Sequence, residues 1–431
     1  RNGPHMDAPN SGELTERYQS MQRTRIIVAI AMCYFLFAVL LNSVGTVILQ
    51  SINSFSISKV EAASLEGFKD LSIALVSFLV ASVLPRVGFK LALLLALSCV
   101  MSVCLLIPAL GEFYAFKLLF AVVGCAFAVV KVSVYALIGQ LSDSASAHSA
   151  LLNTIEGIFM VGVLSGYWIF SYFISEPSSV GSNAWLNVYY LLAALTGLCV
   201  LCVTLAPIKP EQTDNHVPFI KAFIDMLKLA YQPLVLIFVI SAFLYVVIEQ
   251  GVGTWLPTFN NQILHLPVDI SVQLTSIFAA CLALGRLLAG QVLKVISWYV
   301  LLNISLVCMA VLILLTLPLT QNLLAMPVSS VFEAPVAAYL MPLIGLFMAP
   351  IYPLLNSVIL SSLPSSKHAA MTGLIVVFSA LGGTSGSLIT GYMFDNFTGQ
   401  HAFYSALLPI AMLFATVALF KRRIAHTTAS I

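Results

Sequence analysis

A lysine and a glutamate, Lys131 and Glu156, stand inside two consecutive apolar runs of the chain. A charge at membrane depth is costly, so it faces a cavity or a partner and marks a route for solute or protons. Lys131 lies eight residues before Gly139 at the end of its run, roughly 12 Å at the helical rise of about 1.5 Å per residue. Glu156 lies seven residues after the start of the next run at Ser149, roughly 10 Å by the same rise. Opposite charges at one depth on antiparallel neighbours are expected to pair, which lowers the cost of keeping either ionised. Such a bridge is either a static tie or one that a solute or proton breaks during transport.

A second set, Glu66, Lys69 and Asp70, occupies positions i, i+3 and i+4 and so shares one helical face. Asp70 is nine residues beyond Glu61, roughly 13 Å deep and near the midplane. Lys69 can pair with Glu66 one turn earlier or reach a carboxylate on another helix, and Glu66 can snorkel toward water. Burial favours a neutral carboxyl and an adjacent cation favours an ionised one, so small rearrangements can move a proton on or off. The alternative is a structural network within one bundle.

A third site gathers around Glu249, sixteen residues after Pro233 and so about 24 Å along its helix. Just beyond it come Gly251, Gly253 and Pro257. Glycine costs a helix interior about 1 kcal/mol and proline about 3, so a break is expected here, and such breaks point to binding sites. Trp255 beside Thr254, Asn260 and Asn261 suits a polyhydroxylated ring that stacks on one face and hydrogen-bonds at its rim. The other reading of Trp255 is a membrane-interface tryptophan. Asn42, Asn153, Tyr245, Gln250, Tyr352 and Asn356 complete the polar set expected to meet a solute. Amides in such helices also bond across to neighbours for about 0.6 kcal/mol with no other role.

The elements that must position these residues follow from composition. The chain has 431 residues, 60% hydrophobic and 8% charged, and its mean hydropathy is +1.01. Soluble proteins carry about 25% charged residues, so this is an integral membrane protein. Its apolar runs approach the roughly 20 residues that cross a hydrocarbon core, without the alternation of a barrel strand. Twelve helical spans are expected, at residues 26–50, 60–84, 90–110, 114–139, 149–175, 185–206, 233–258, 269–292, 297–317, 335–362, 368–394 and 402–420. The eight cysteines all fall in apolar segments, reading as small core residues, with neither a disulfide framework nor a metal site.

Residues 1–5, Arg-Asn-Gly-Pro-His, read as a tag remnant before a start at Met6. Residues 1–25 then form that remnant and a polar, mobile leader, 26–206 a first six-helix bundle and 207–232 a linker. Residues 233–420 form a second bundle and 421–431 a tail. One side holds Arg17, Arg23, Arg25, Arg86, Lys90, Lys209, Lys221, Lys228, Lys294, Lys367, Lys421, Arg422 and Arg423, thirteen in all. The other holds Lys59, with Lys117 just inside a helix. By the positive-inside rule both termini are cytoplasmic, and the inner, or plasma, membrane is the expected location. The linker carries Lys209, Glu211, Asp214, Lys221, Asp225 and Lys228, and its stretch 219–229 reads as a short amphipathic helix on the inner face.

Twelve helices as six plus six resemble the major facilitator superfamily, whose two pseudo-symmetric halves rock around a midplane site. Leu84-Pro85-Arg86-Val87-Gly88-Phe89-Lys90 is similar to its loop signature with the acidic residue missing, and Gly285-Arg286-Leu287-Leu288-Ala289-Gly290 looks like the counterpart in the second half. The resemblance implies that Arg86 and Arg286 act as conformational latches. It narrows toward the fucose permease-like sugar:proton symporters. Helix seven carries Glu249-Gln250-Gly251 and Trp255-Leu256-Pro257, helix ten Ala349-Pro350-Ile351-Tyr352-Pro353, and helix eleven Gly382-Gly383 and Gly386 with Gly391 and Asp395. Helix one departs from that pattern, offering Asn42 where an acidic residue is expected for proton coupling.

No phosphate-cradling Gly-Lys-Ser/Thr loop and no spaced Cys/His set occurs, so enzyme, cofactor and metal readings fall away. The expectation is an all-α secondary active transporter that imports a small polar solute, a sugar or polyol, by alternating access. Its cavity would be lined by helices one, two, four, five, seven and ten. Protons would couple through Asp70, Glu66, Glu156 and Glu249, and the solute would meet Lys69 and Lys131 with the polar set above. Sodium stays open as the coupling ion. The expected partners are the solute, protons and the lipid bilayer around a monomer, with no nucleic acid. An organic-anion importer drawn by Lys131 and Lys69, or a proton-coupled exporter of amphipathic compounds, is the alternative.

Overall fold

The computed structural model describes residues 11–174, 183–209, 218–323 and 326–429. The tag reading of residues 1–5 and Met6, and the linker charges Glu211 and Asp214, lie outside the described residues. All regular structure among the described residues is helical. Eleven stretches are long and apolar enough to cross a membrane, and Lys59–Val87 makes the twelfth.

The first span is Ser11–Asn42 continued by Val44–Phe55. The second to sixth are Lys59–Val87, Phe89–Leu110, Phe113–Leu141, Ala145–Ile174 and Val188–Leu205. After the linker come Pro233–Gly253 continued by Leu256–Gln262 as the seventh, Val268–Val292 as the eighth and Trp298–Thr316 as the ninth. The tenth is assembled from Val336–Leu340, Ile344–Met348 and Ile351–Ser361. His368–Asn396 is the eleventh, and Gly399–Tyr404 with Leu407–Ala429 the twelfth.

The leader is helical from Ser11 onward. Its residues favour helix, and Glu13 stands four before Arg17, the favourable order for such a pair. Cys99, read as a core residue, is exposed on the third span.

Four spans are interrupted, the twelfth between Tyr404 and Leu407, and in the other three the sequence supplies a local reason. In the first, Asn42 Nδ2 donates to the Ala38 carbonyl at 2.9 Å and Ser43 Oγ to Leu40 at 2.7 Å. Such bonds draw on carbonyls of the helix's own ladder, and the helix is interrupted at Ser43. In the seventh the interruption falls at Thr254 and Trp255, after the weak glycines and just before Pro257, whose missing N–H is tolerated at the start of the next helix. The tenth carries Pro342, Pro350 and Pro353, which remove helix donors.

The linker helix Phe219–Ala230 defines what is called here the linker face, the opposite being the far face. It buries Met226 and Leu229 against the second and eleventh spans. There the Phe78 ring lies 6.5 Å from Phe219, and a Cβ on Gly373 would come within 3.0 Å of Phe78. On the same face Lys90 Nζ donates to the Thr204 and Ala206 carbonyls at 2.9 Å each, closing the end of the sixth span.

Other bonds join the bundles in the far half. Asp395 accepts the backbone N–H groups of Lys59 and Val60 at 3.1 and 3.0 Å. Trp168 Nε1 donates to Ser276 Oγ at 3.3 Å, and Gln273 Nε2 to Ser171 Oγ at 2.7 Å. Toward the linker face, Lys131, Tyr135 and Asn153 are exposed. The far face is the more firmly tied of the two.

A polar cavity between the bundles

The broken first and seventh spans both meet the second span at its charged turn. Lys69 Nζ lies 3.0 Å from Glu66 Oε1 and 3.6 Å from Asp70 Oδ1, and reaches the Leu41 carbonyl, next to the first break, at 3.4 Å. Thr254, at the seventh-span break, has its hydroxyl 3.2 Å from Glu66 Oε2 and 2.8 Å from Gln250 Oε1. The breaks also touch each other, since a Cβ on Gly45 would sit 2.5 Å from the Thr254 carbonyl. Glu66 is fully buried and Lys69 8% exposed, so this cluster is shielded from water on the seam between the bundles. Asp70 seats over Gly383 of the eleventh span, where any Cβ would collide with its carboxylate.

Beside the cluster lies a cavity of about 150 Å³ walled by Asn42, Lys69, Tyr167, Glu249, Gln250, Thr254 and Arg286. Spans one, two, five, seven and eight contribute to it. Among the sequence-predicted helices, four and ten are not in its wall, and eight is added. Arg286, read as a latch at a helix end, thus lines the cavity. Its guanidinium acts on Glu249 and Tyr245, yet among the described residues no ion pair within 4.0 Å includes it. Arg86 is exposed at the linker-face end of its span.

The expected Lys131–Glu156 bridge is not formed. Glu156 instead accepts a hydrogen bond from Tyr135 at 2.9 Å, and Lys131 Nζ stands 5.8 Å over the Tyr135 ring. Equal depth on two helices does not fix the direction in which each side chain leaves its axis, and Tyr135, one turn below Lys131, fills the space between. Asn153 and Glu156 share a stripe with Met160, Val163 and Tyr167 at helical spacing, and the last three reach the cavity.

Trp255 and Asn260 depart from their predicted role as solute contacts. Trp255 is fully buried, stacked on Phe394 with centroids 5.3 Å apart, and its Nε1 donates to the Ser387 carbonyl at 3.1 Å. Gly391 makes room for the indole. Asn260 is also fully buried and donates to the Ser271 carbonyl at 3.1 Å. Both tie the second bundle together. Tyr245 stacks on Tyr352 at 5.7 Å and donates to the Met348 carbonyl at 3.1 Å. The Tyr352 hydroxyl shares a 2.6 Å bond with Ser379, and half-buried Asn356 lies on the next turn.

Sequence reasoning missed Tyr135 and Tyr167 and left Thr254 without a role of its own. Tyr135 was findable as the i+4 neighbour of Lys131, and Tyr167 as the end of the Glu156 stripe.

Buried charge, paired breaks and a cavity on the seam define a membrane transporter rather than an enzyme. Residues 27–344 match the Major Facilitator Superfamily, and the chain belongs to that family. No curated protein sequence matches it significantly. A bacterial homologue of the human lysosomal transporter Spinster, in an inward-facing and unoccupied conformation, superposes with a TM-score of 0.72 at 14% identity, over 94% of this chain and 98% of that one. A D-xylose-proton symporter gives 0.69 at 15%, over 92% and 97%. The fucose:proton symporter of E. coli gives 0.59 at 16%, over 92% and 98%. These likenesses show the fold.

Proposed function

We propose that this transporter couples protons to the uptake of a small, uncharged polyhydroxyl solute such as a sugar or polyol. The observation that carries the reading is the Glu66–Lys69–Asp70 cluster beside the cavity, with Lys69 in the cavity wall and two carboxylates sharing that one ammonium. Such a set holds one acid more than base, so it takes up a proton without stranding a charge. The neighbouring cavity offers amides, hydroxyls and both signs of charge, a lining that hydrogen-bonds hydroxyl groups without selecting a net charge. Sugar-proton symporters among its structural neighbours are in keeping with this. Solute would enter from the far face, taken as the outside, and leave at the linker face in the inner membrane.

Proteoliposomes with an imposed inward proton gradient test it. Labelled neutral sugars should accumulate, and Asp70→Asn or Glu66→Gln should abolish accumulation while sparing exchange. Mutants that accumulate as well as the parent would remove the coupling assignment. A second reading, import of an organic anion, is favoured by Arg286, which faces the cavity without a carboxylate in ion-pair range among the described residues. Competition by anions and by no neutral sugar would select it.

A further inference from the structure

Thr254 has one hydroxyl hydrogen and two acceptors within reach, Glu66 Oε2 at 3.2 Å and Gln250 Oε1 at 2.8 Å. A hydroxyl donates once and accepts through its lone pairs. With Glu66 ionised, serving either acceptor leaves the other oxygen facing Thr254 Oγ1 with no hydrogen between them. Such a mismatch is costly where water is excluded, and both Glu66 and Thr254 are buried.

Two arrangements satisfy all three groups. In the first, Glu66 holds a proton on Oε2 and donates it to Thr254 Oγ1, which donates to Gln250 Oε1. In the second, Glu66 is ionised and accepts from Thr254, while Gln250 has turned its amide over so that Nε2 donates to Thr254. The two amide ends occupy nearly the same shape and differ in hydrogen-bonding sense. Gln250 also lines the cavity, so the end not spent on Thr254 is left for the solute. Protonation at Glu66 leaves it a donor, and ionisation an acceptor.

We propose that Thr254 is a positioning residue that converts the proton state of Glu66, on the first bundle, into the hydrogen-bonding sense of Gln250, on the second. This rests on the proton-coupling reading above and names the device by which proton and solute would sense each other. The proton belongs on Oε2, the oxygen that faces Thr254, because Lys69 occupies Oε1 at 3.0 Å. The cluster of two carboxylates and one ammonium then passes from net −1 to neutral, by 1 − 2 = −1 and 1 − 1 = 0. The charged and titratable groups around Glu66 are Lys69 and Asp70 on its own helix, Glu249 from the seventh span and Tyr167 from the fifth. Arg286 of the eighth acts on Glu249. Among the described residues Thr254 alone joins Glu66 to an amide that lines the cavity. By linkage, a solute that prefers one sense of the amide must raise or lower proton affinity by the same factor as the proton changes its own.

The test needs no solute. Infrared difference spectra between acidic and neutral pH are recorded on the full chain in lipid vesicles, with the proton as the only probe. The parent should show a protonated-carboxyl stretch that is lost in Glu66→Gln. With it should come a glutamine side-chain amide shift that is lost in Gln250→Met. In Thr254→Val, and in Thr254→Ala as a second hydroxyl-free variant, the carboxyl band should remain and the amide shift disappear. Thr254→Ser should restore it. An amide shift that persists in both hydroxyl-free variants, or is missing from the parent, overturns the relay and leaves proton coupling standing. Absence of the carboxyl band from the parent overturns the relay and the coupling reading together.

Discussion

Two sets of ionisable side chains stand at membrane depth in the first bundle, and they are built in opposite ways. The Glu66–Lys69–Asp70 set lies on one helix, closes two ion pairs and is shielded from water on the seam. The Lys131–Tyr135–Glu156 set spans two helices, closes no ion pair within 4.0 Å among the described residues and has its lysine and tyrosine exposed toward the linker face. The first depends on its own charges for compensation and the second on its surroundings. Burial with pairing suits the one-proton role proposed above, whereas exposure without pairing leaves charge that water can serve.

The largest effect expected from that contrast is Lys69→Met. It strands two carboxylates in a dry seam and should destabilise the protein by about 3–5 kcal/mol, as removal of one partner of a buried pair does. Lys131→Met, at a site with no pair to break, should stay within about 0.5 kcal/mol. Thermal denaturation of both in the same lipid checks this, and similar losses would erase the distinction. Gly383→Ala comes next, because its new methyl collides with the Asp70 carboxylate. Overpacking of that kind costs about 1–3 kcal/mol, and accumulation should fall more than exchange in the transport assay. Tyr135→Phe removes the hydroxyl that bonds Glu156 and meets Tyr34 and should cost about 1 kcal/mol, read from the same melts. Smallest is Asp395→Asn, about 0.5 kcal/mol for a charge at a helix N-terminus. A membrane-impermeant thiol reagent should then label Ala63→Cys faster from the far face than it does with Asp395 intact.

How much of this was legible in the sequence depended on how many helices a feature involves. The spans were, because an apolar run long enough to cross a bilayer has few other homes. The Lys69–Glu66 pair follows from i,i+3 spacing on one helix, and the seventh-span break from Gly253 and Pro257. The Lys131–Glu156 pairing failed because it needed the rotation of two helices about their axes, which only packing sets. Trp255 failed likewise, since its burial depends on Gly391 and Phe394 far along the chain. The break at Ser43 has no proline and only Gly45 beside it to mark it, and the departure of Arg286 from a helix end into the cavity wall depended on neighbouring spans.

The carboxylate of Asp395 on the amides of Lys59 and Val60 has a mechanical corollary. Where the second and eleventh spans part at that end, water can take over both amides and the carboxylate. Parting them at the opposite end would bare Phe78 and Met226, for which water is no substitute. The two ends of this contact are thus closed by different means, a hydrophilic clasp and a greasy one, and of the two it is the clasp made of polar groups that solvent itself can unfasten.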